Sequence, residues 1–201
     1  QLVNALATLE AGLNLRIDLL NYQRNFYIDM DKKAASDKTK ALVFSDDKDA
    51  TKLTMLAQIL NQHTIKIHQL KEDTKINNKL FKKENSYVIP LQQKNYLLIS
   101  SLFEKRTKFA DSLFYDISTW TLPFAFNVSF DSISNKKLIG EEMTDFSFKA
   151  KKVLAKSEIA YLCEWHDYNA PKALNKILSK GIRVKTAMKS FIQNGKSFDY
   201  G

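Results

Sequence analysis

The sequence has few of the residues that build disulfides and metal centres. Its one cysteine, Cys163, excludes an internal disulfide and leaves the redox compartment open. Its three histidines are His63, His68 and His166, and a zinc peptidase would need His-x-x-Glu or His-Glu-x-x-His around them. The residues three positions further on are Lys66, Lys71 and Asn169. The sequence therefore predicts no catalytic zinc site within this chain.

Glycine is also sparse, and its spacing excludes two common phosphate-binding loops. The five glycines are at positions 12, 140, 181, 195 and 201. G-x-G-x-x-G and P-loop motifs need closely spaced glycines, because backbone N–H groups must approach a phosphate. No apolar run approaches the roughly 18 residues of a membrane-spanning helix. Because the chain starts at Gln1 rather than Met, we expect a fragment of a larger protein, and the missing signal peptide says nothing about the parent.

Charge of one sign is never concentrated in this sequence. The net charge is +9, which makes a polyanion-binding module one alternative function. The lysines, however, alternate with acids, as in Asp46–Asp49, and no block of five or six like charges occurs. We therefore interpret most of this charge as a solvated surface and expect no nucleic-acid partner.

The first 35 residues have the apolar periodicity of one long helix. Apolar residues recur every three or four positions, at Leu2, Leu6, Leu9, Leu13, Ile17 and Leu20. A second apolar line widens the stripe: Leu15, Leu19, Tyr22, Phe26 and Met30. A stripe this wide is typical of a helix that packs on more than one side, so we expect part of its partner outside this chain. Lys32–Lys40 is polar and is interpreted as a linker.

A strand–helix–strand pattern follows. Ala41–Phe44 is predicted as a strand, and Asp49 as the N-cap of a helix. The apolar face of that helix is Leu53, Leu56, Ala57, Ile59 and Leu60. Thr64–His68 and Ser86–Pro90 are predicted strands, separated by a hairpin with Asn77-Asn78 at its turn. Residues 93–105 are predicted to form a further helix, and the aromatic segment 111–128 to be buried.

The second half repeats this order at a period near 118 residues. Ile159–Glu164 is predicted as a strand, followed by a helix that is capped by Asn169, with Pro171 in its first turn. Gly181 fits the end of that helix, and Ile182–Lys185 is the next predicted strand. Asn194-Gly195 then corresponds to the Asn77-Asn78 turn.

Repeated βαβ units predict an α/β fold with a mostly parallel sheet and helices on both faces. We expect a helix and linker at 1–40 and an α/β domain at 41–201. The counterpart of Ser86–Pro90 would begin where the sequence ends, at Asp199–Gly201. The domain is therefore expected to be truncated there, with an unfilled or substituted sheet edge.

Two catalytic interpretations are weak. Asp46 and Asp47 follow the first strand, where a receiver-like magnesium site could form, but no phosphorylatable aspartate follows Ser86–Pro90. A cysteine enzyme would place its nucleophile on a tight strand-to-helix elbow with small neighbours. Cys163 is instead expected inside a strand, between Leu162 and Glu164, as an unreactive apolar residue. No catalytic residue is assigned.

The best candidate site is the loop Glu164–Tyr168. It follows the carboxyl end of a predicted strand, where open α/β sheets bind ligands. Glu164, Trp165, His166 and Tyr168 bring together an acid, an imidazole and two aromatic rings, so they are the candidate ligand- or partner-binding residues. The alternative is structural: the two aromatic side chains cover a sheet edge, and Glu164 is paired or caps a helix.

Several stretches resemble a known family. They are Ser86–Pro90, Leu102–Glu104, Asp111–Pro123 with Ala125-Phe126, Glu164-Trp165 with Tyr168, Ala170–Leu174 and Phe198–Gly201. Together they resemble the region that follows the peptidase domain in bacterial zinc carboxypeptidases of the carboxypeptidase A type. The resemblance covers nearly the whole chain, and Tyr115–Pro123 is its most specific part.

The resemblance implies a class I glutamine-amidotransferase-like, flavodoxin-type fold that serves as an accessory domain. The zinc ligands and the general-base glutamate would lie upstream of Gln1, so no cofactor is expected in this fragment. The amidotransferase triad is unmatched, since no cysteine elbow occurs; an amidotransferase-type enzyme that uses Cys163 stays an alternative. The implied partners are the upstream peptidase domain and a peptide substrate, in a periplasmic or secreted parent, and the oligomeric state stays open.

Overall fold

The computed structural model describes residues 1–105, 121–148 and 155–200. Most of the aromatic segment 111–128 lies outside these ranges, as does the larger part of Tyr115–Pro123. The described helices are α1 (Leu2–Asn14), α2 (Arg16–Ser36), α3 (Ala50–Gln62), α4 (Tyr96–Leu102), α5 (Leu122–Ala125) and α6 (Ala170–Ser179). The described strands are β1 (Ala41–Ser45), β2 (His68–Leu70), β3 (Thr74–Ile76), β4 (Lys79–Phe81), β5 (Ser86–Pro90), β6 (Ser129–Ile133), β7 (Ile139–Glu142), β8 (Phe191–Gln193) and β9 (Lys196–Phe198).

Five of these strands form one sheet in the order β6-β1-β5-β2-β7. Strand β1 pairs with β5 from Ala41↔Pro90 to Ser45↔Ser86, and β2 pairs with the other side of β5 at His68↔Val88. Every neighbouring pair in this sheet is antiparallel. Two separate hairpins, β3–β4 and β8–β9, complete the described strands.

The α/β class is therefore confirmed, but the described residues do not form the mostly parallel, flavodoxin-like sheet that the repeats predicted. The unit β1–α3–β2 does place two parallel strands in one sheet. Strand β5 returns after the β3–β4 hairpin and lies between them, antiparallel to both, which makes this a split βαβ unit. The order of helices and strands along the sequence is the same for a mostly parallel sheet and for a split βαβ unit. The sequence pattern therefore could not reveal that β5 lies between β1 and β2.

Successive side chains along the strands point to opposite faces of the sheet, and each face has its own apolar cluster. Phe44 and Ile89 face α3 and α4, where they meet Leu56, Leu60 and Ile99, all fully buried. The opposite face contains Ala41, Val43, Leu70, Phe81, Val88 and Ile133, so the β3–β4 hairpin covers it through Phe81. Most of the buried apolar surface in the described chain thus surrounds the first βαβ unit.

The predicted N-terminal helix is present but is interrupted at Leu15, which lies outside the helical region (φ −96°, ψ 8°) between α1 and α2. No residue of α1 is buried, and only Met30 and Ala34 of α2 are. The C-terminal end of α2 is attached to α4, because the Tyr96 hydroxyl donates to Asp37 Oδ2 at 2.8 Å.

The second unit keeps its helix and hairpin but forms no strands beside them. Helix α6 begins after Asn169 with Pro171 in its first turn, and Gly181 follows its end at φ +69°, as predicted. The predicted cap is not formed, because the Asn169 side chain makes no capping hydrogen bond. Ile159–Glu164 and Ile182–Lys185 were predicted as strands and belong to no described sheet. No described strand lies beside either segment, so their backbone groups have no ladder partner there.

Candidate functional site

The loop Glu164–Tyr168 follows residues 159–163, which belong to no described helix or strand, and it leads into the first turn of α6. The backbone N–H of Tyr168 donates to Asp49 Oδ2 at 2.7 Å. Asp49 is the predicted N-cap of α3: its Oδ1 accepts from the N–H groups of Thr51 and Lys52, at 2.9 and 3.2 Å. Because Asp49 is only 1% exposed, its two oxygens fix the loop against the start of α3.

Glu164 makes the charged contacts of the loop. Lys196 Nζ, from the β8–β9 hairpin, donates to its Oε2 at 3.0 Å, and His166 Nε2 lies 3.8 Å from the same oxygen. The hydrogen bond from Lys196 lowers the pKa of Glu164 and outweighs the opposing effect of desolvation. Glu164 is thus paired, as the structural interpretation predicted, and the pair connects the loop to a hairpin about thirty residues away.

Both aromatic side chains of the loop face solvent. Trp165 is 52% exposed and Tyr168 is 57% exposed. The alternative that they cover a sheet edge is therefore wrong for the described residues. A loop held at both ends that leaves two large rings exposed is typical of a binding surface.

A cavity of about 330 Å³ lies next to this loop. Its walls include Glu164, His166, Asp167, Cys163 and, from the loop before α3, Lys48. A volume of this size is at the lower end of ligand pockets. The cavity therefore offers both charge signs to a small polar group, with Trp165 and Tyr168 outside its walls.

Cys163 was expected inside a strand as an unreactive residue, and the strand position is wrong. The thiol is exposed, and the residue lies in the unpaired segment before the loop. Its Sγ lies 3.7 Å from the carbonyl oxygen of the adjacent Glu164. No strand-to-helix elbow with small neighbours surrounds it, so the described geometry does not activate it as a nucleophile.

The carboxylates after β1 stabilise their own loop. Asp46 Oδ2 forms an ion pair with Lys52 Nζ at 2.7 Å, and its Oδ1 accepts from the N–H groups of Lys48 and Asp49. Asp47 accepts from Asn85 Nδ2 at 2.6 Å. These contacts indicate that the two carboxylates stabilise the loop before α3, rather than form a receiver-like magnesium site.

A zinc ion does not fit the described part of the chain. Within residues 1–105, 121–148 and 155–200, no group of three or more His, Cys, Asp or Glu side chains could hold a metal. His68 Nδ1 lies 3.0 Å from the Gly140 carbonyl oxygen, so the imidazole contacts the backbone of β7. The zinc that the resemblance implies is therefore assigned to no residue here.

Sequence reasoning found the loop but missed the two residues that hold it. Asp49 was identified only as a helix cap, and Lys196 was not singled out. Both act over long separations, 119 residues to Tyr168 and 32 residues to Glu164, so no local pattern could indicate them.

None of the described helices has both the length and the apolar character needed to cross a membrane. Comparisons with known protein families, curated proteins and solved structures gave no match.

Proposed function

We propose that this chain is a non-catalytic accessory domain of a periplasmic or secreted zinc carboxypeptidase, which supports the peptidase domain or binds its peptide substrate. The resemblance of the sequence to the region after such peptidase domains supplies the family. Zinc and the reacting residues belong, in this proposal, to the peptidase domain of the parent.

The anchored loop Glu164–Tyr168 is the observation that carries the proposal. Its two exposed rings can stack on apolar side chains of a bound peptide, and the adjacent Glu164–Lys196 pair can exchange hydrogen bonds with a peptide backbone. The Asp49 hydrogen bond limits the conformations of the loop before binding, which reduces the entropic cost of ordering it.

The apolar surface of α1 and α2 supports contact with a peptidase domain. Six of its side chains are at least half exposed: Leu2, Leu6, Leu9, Leu13, Ile17 and Leu20. A helix with such a surface gains free energy by packing against another apolar face. In this proposal α1 is the element that contacts the peptidase domain.

Family membership is tested by reading the coding sequence that precedes Gln1. A peptidase domain with a His-x-x-Glu motif is expected there. A different domain, or none, would remove the carboxypeptidase assignment and leave only the binding role of the loop.

The non-catalytic role is tested with the purified chain. We expect no release of C-terminal amino acids from a synthetic peptide, with or without added zinc, and no stoichiometric zinc retention after dialysis. Micromolar zinc binding together with peptidase activity would refute the proposal.

The binding role is tested by titration with a pool of synthetic octapeptides that have free carboxyl ends, followed by NMR chemical shifts of the backbone amides. Shifts are expected at 164–168, and Trp165→Ala with Tyr168→Ala should weaken binding about tenfold or more. Tyr200→Ala removes a ring that is 72% exposed outside the loop and serves as the matched control. Unchanged binding in the double variant would exclude the loop.

A further inference from the structure

The second half of the chain repeats the backbone turns of the first half, and not only its sequence pattern. Three pairs of residues with positive φ are each separated by 117 positions: Thr64 and Gly181 (58° and 69°), Asn77 and Asn194 (47° and 49°), and Asn78 and Gly195 (65° and 75°). Positive φ is rare outside glycine, so three matches at one spacing are strong evidence for two copies of one unit.

The hydrogen bonds after the two helices repeat at the same spacing. Ile65 N–H donates to Leu60 O at 3.2 Å, and Ile182 N–H donates to Ile177 O at 3.3 Å. The hairpins also match, because β3–β4 pairs Thr74 with Phe81 and β8–β9 pairs Phe191 with Phe198. Each unit therefore has a helix, the same turn after it and a hairpin, in that order. The units differ before the helix, where the first has strand β1 and the second has no described strand.

The copies differ in what covers their apolar positions. In the first unit, Phe44, Ile65 and Ile67 are at most 1% exposed. The residues 117 positions later are also apolar, but Tyr161 is 57% exposed, Ile182 is 53% exposed and Val184 is 40% exposed. The second unit thus has apolar side chains at the positions that are buried in the first unit, but no described sheet buries them.

Strand β5 is the element that organises the first unit. It lies between β1 and β2, and both of them pair with it. The described residues contain no counterpart of β5 in the second unit. Shifting Ser86–Pro90 by the same 117 positions places that counterpart at 203–207, directly after the β8–β9 hairpin.

We propose that the second unit is completed by a strand at 203–207, supplied by the polypeptide that follows β9. It would run antiparallel between residues 158–162 and 185–186, as β5 runs between β1 and β2. Applied to the second unit, the register of β5 pairs position 162 with 203 and Lys185 with 205. This inference rests on the internal repeat and does not depend on the proposed accessory function.

Strand addition here has a clear physical benefit. The strand would offer backbone hydrogen-bond partners to residues 158–162 and 185–186, and it would bring Tyr161 and Val184 onto the apolar face of α6. It would convert an open helix and hairpin into a second split βαβ unit. The loop Glu164–Tyr168 would then follow a paired strand, as the loop before α3 follows β1.

The test appends seven residues with the sequence of Asn85–Leu91 after Gly201, so that the β5 sequence occupies 203–207. Amide hydrogen exchange, resolved by NMR, is compared between the 201-residue chain and the extended chain. The alternating amides of 158–162 and 185–186 are expected to exchange about tenfold or more slowly in the extended chain. Exchange at β1 and β5 should be unchanged, which checks that the first unit stays folded.

Two controls make the result specific. The same seven residues in shuffled order, with proline at the centre, should give no protection because proline cannot donate to a ladder. Tyr161→Asp in the extended chain should abolish the protection, whereas Tyr161→Phe should keep it.

Exchange at 158–162 that stays fast in the extended chain, with β1 still protected, would overturn the proposal. Protection by a separate peptide of the Asn85–Leu91 sequence, without protection by the appended strand, would overturn its assignment to the polypeptide after β9.

Discussion

Asp49 shares one carboxylate between a helix and a distant loop. Asp49→Ala removes the N-cap of α3 and the hydrogen bond to Tyr168 together, so we expect a loss of about 1–3 kcal/mol in the free energy of unfolding by urea. Asp49→Asn keeps one carbonyl acceptor for the cap, and should cost less while it still releases the loop. Faster amide exchange at Tyr168 in both variants would check this, and equal stability of all three proteins would contradict it.

The ion pair of Asp46 with Lys52 gives stability that depends on pH. Burial raises the pKa of Asp46, but the hydrogen bonds from Lys52 and from two backbone N–H groups outweigh it, so the pKa lies below its ordinary value of 3.8. A lowered pKa means that the stabilisation is present above pH 3.8 and is lost as the pH falls through the folded-state value. We therefore expect Asp46→Asn to destabilise the protein by about 1 kcal/mol near neutral pH.

The difference in the free energy of unfolding between the original protein and Asp46→Asn should shrink toward zero in acid, as measured by urea unfolding at a series of pH values. Lys52→Met is the matched variant, because it removes the same pair from the other side. A penalty for Asp46→Asn that persists unchanged in acid would show that the carboxylate charge is not its cause.

The labelling rate of Cys163 distinguishes an exposed thiol from a catalytic one. Because it lies at the surface, iodoacetamide should label it in the native protein at about the rate of a small free thiol, without prior denaturation. Mass spectrometry over a time course gives this rate. Labelling that is much faster than for a model thiol would favour the cysteine-enzyme alternative, and labelling only after denaturation would contradict the exposed position.

At the scale of elements, equivalent helix positions should have unequal effects on stability. Leu60 of α3 is fully buried, whereas Ile177 occupies the same position in α6 and is half-buried. Leu60→Ala is expected to cost about 2–5 kcal/mol, the range for a core cavity. Ile177→Ala should cost less than about 1 kcal/mol, because little packing is lost there. Urea titrations of both variants test this, and equal costs would show that α6 is packed as deeply as α3.

Local elements with distinct chemistry were predictable from the sequence. The apolar spacing of α3, the Asp49 cap, the Asn77-Asn78 turn and Gly181 after α6 all lie where the pattern placed them. Each depends on residues close together in the chain, such as a side chain that accepts from the next turn or a residue that tolerates positive φ.

Long-range pairing was not predictable in the same way. The segments that form β6 and β7 had no readable strand pattern, yet they make both edges of the sheet. Ile159–Glu164 has a strand-like composition but no described partner, so composition alone overestimated it. Strand order is set by contacts between residues far apart in the sequence. The insertion of β5 between β1 and β2 therefore produces no local sequence pattern.

At the scale of the whole molecule, α1 contributes little to folding of the described chain. None of its residues is buried, so a protein that starts at Arg16 should have the same free energy of unfolding within about 0.5 kcal/mol. Removal of its exposed leucines should also reduce any concentration-dependent association, as measured by sedimentation velocity. A loss of stability above about 1 kcal/mol would mean that α1 packs on the folded body.

The carboxylate of Asp49 also makes the two halves of the molecule thermodynamically interdependent. In the proposed binding role, a peptide that displaces Tyr168 from Asp49 loses that hydrogen bond as it binds. Fraying of the start of α3 would then change the affinity of the loop for the peptide by the same factor. Reciprocity of this kind needs no large movement. Occupancy at 164–168 should therefore be measurable as a change in the opening free energy of the first turn of α3.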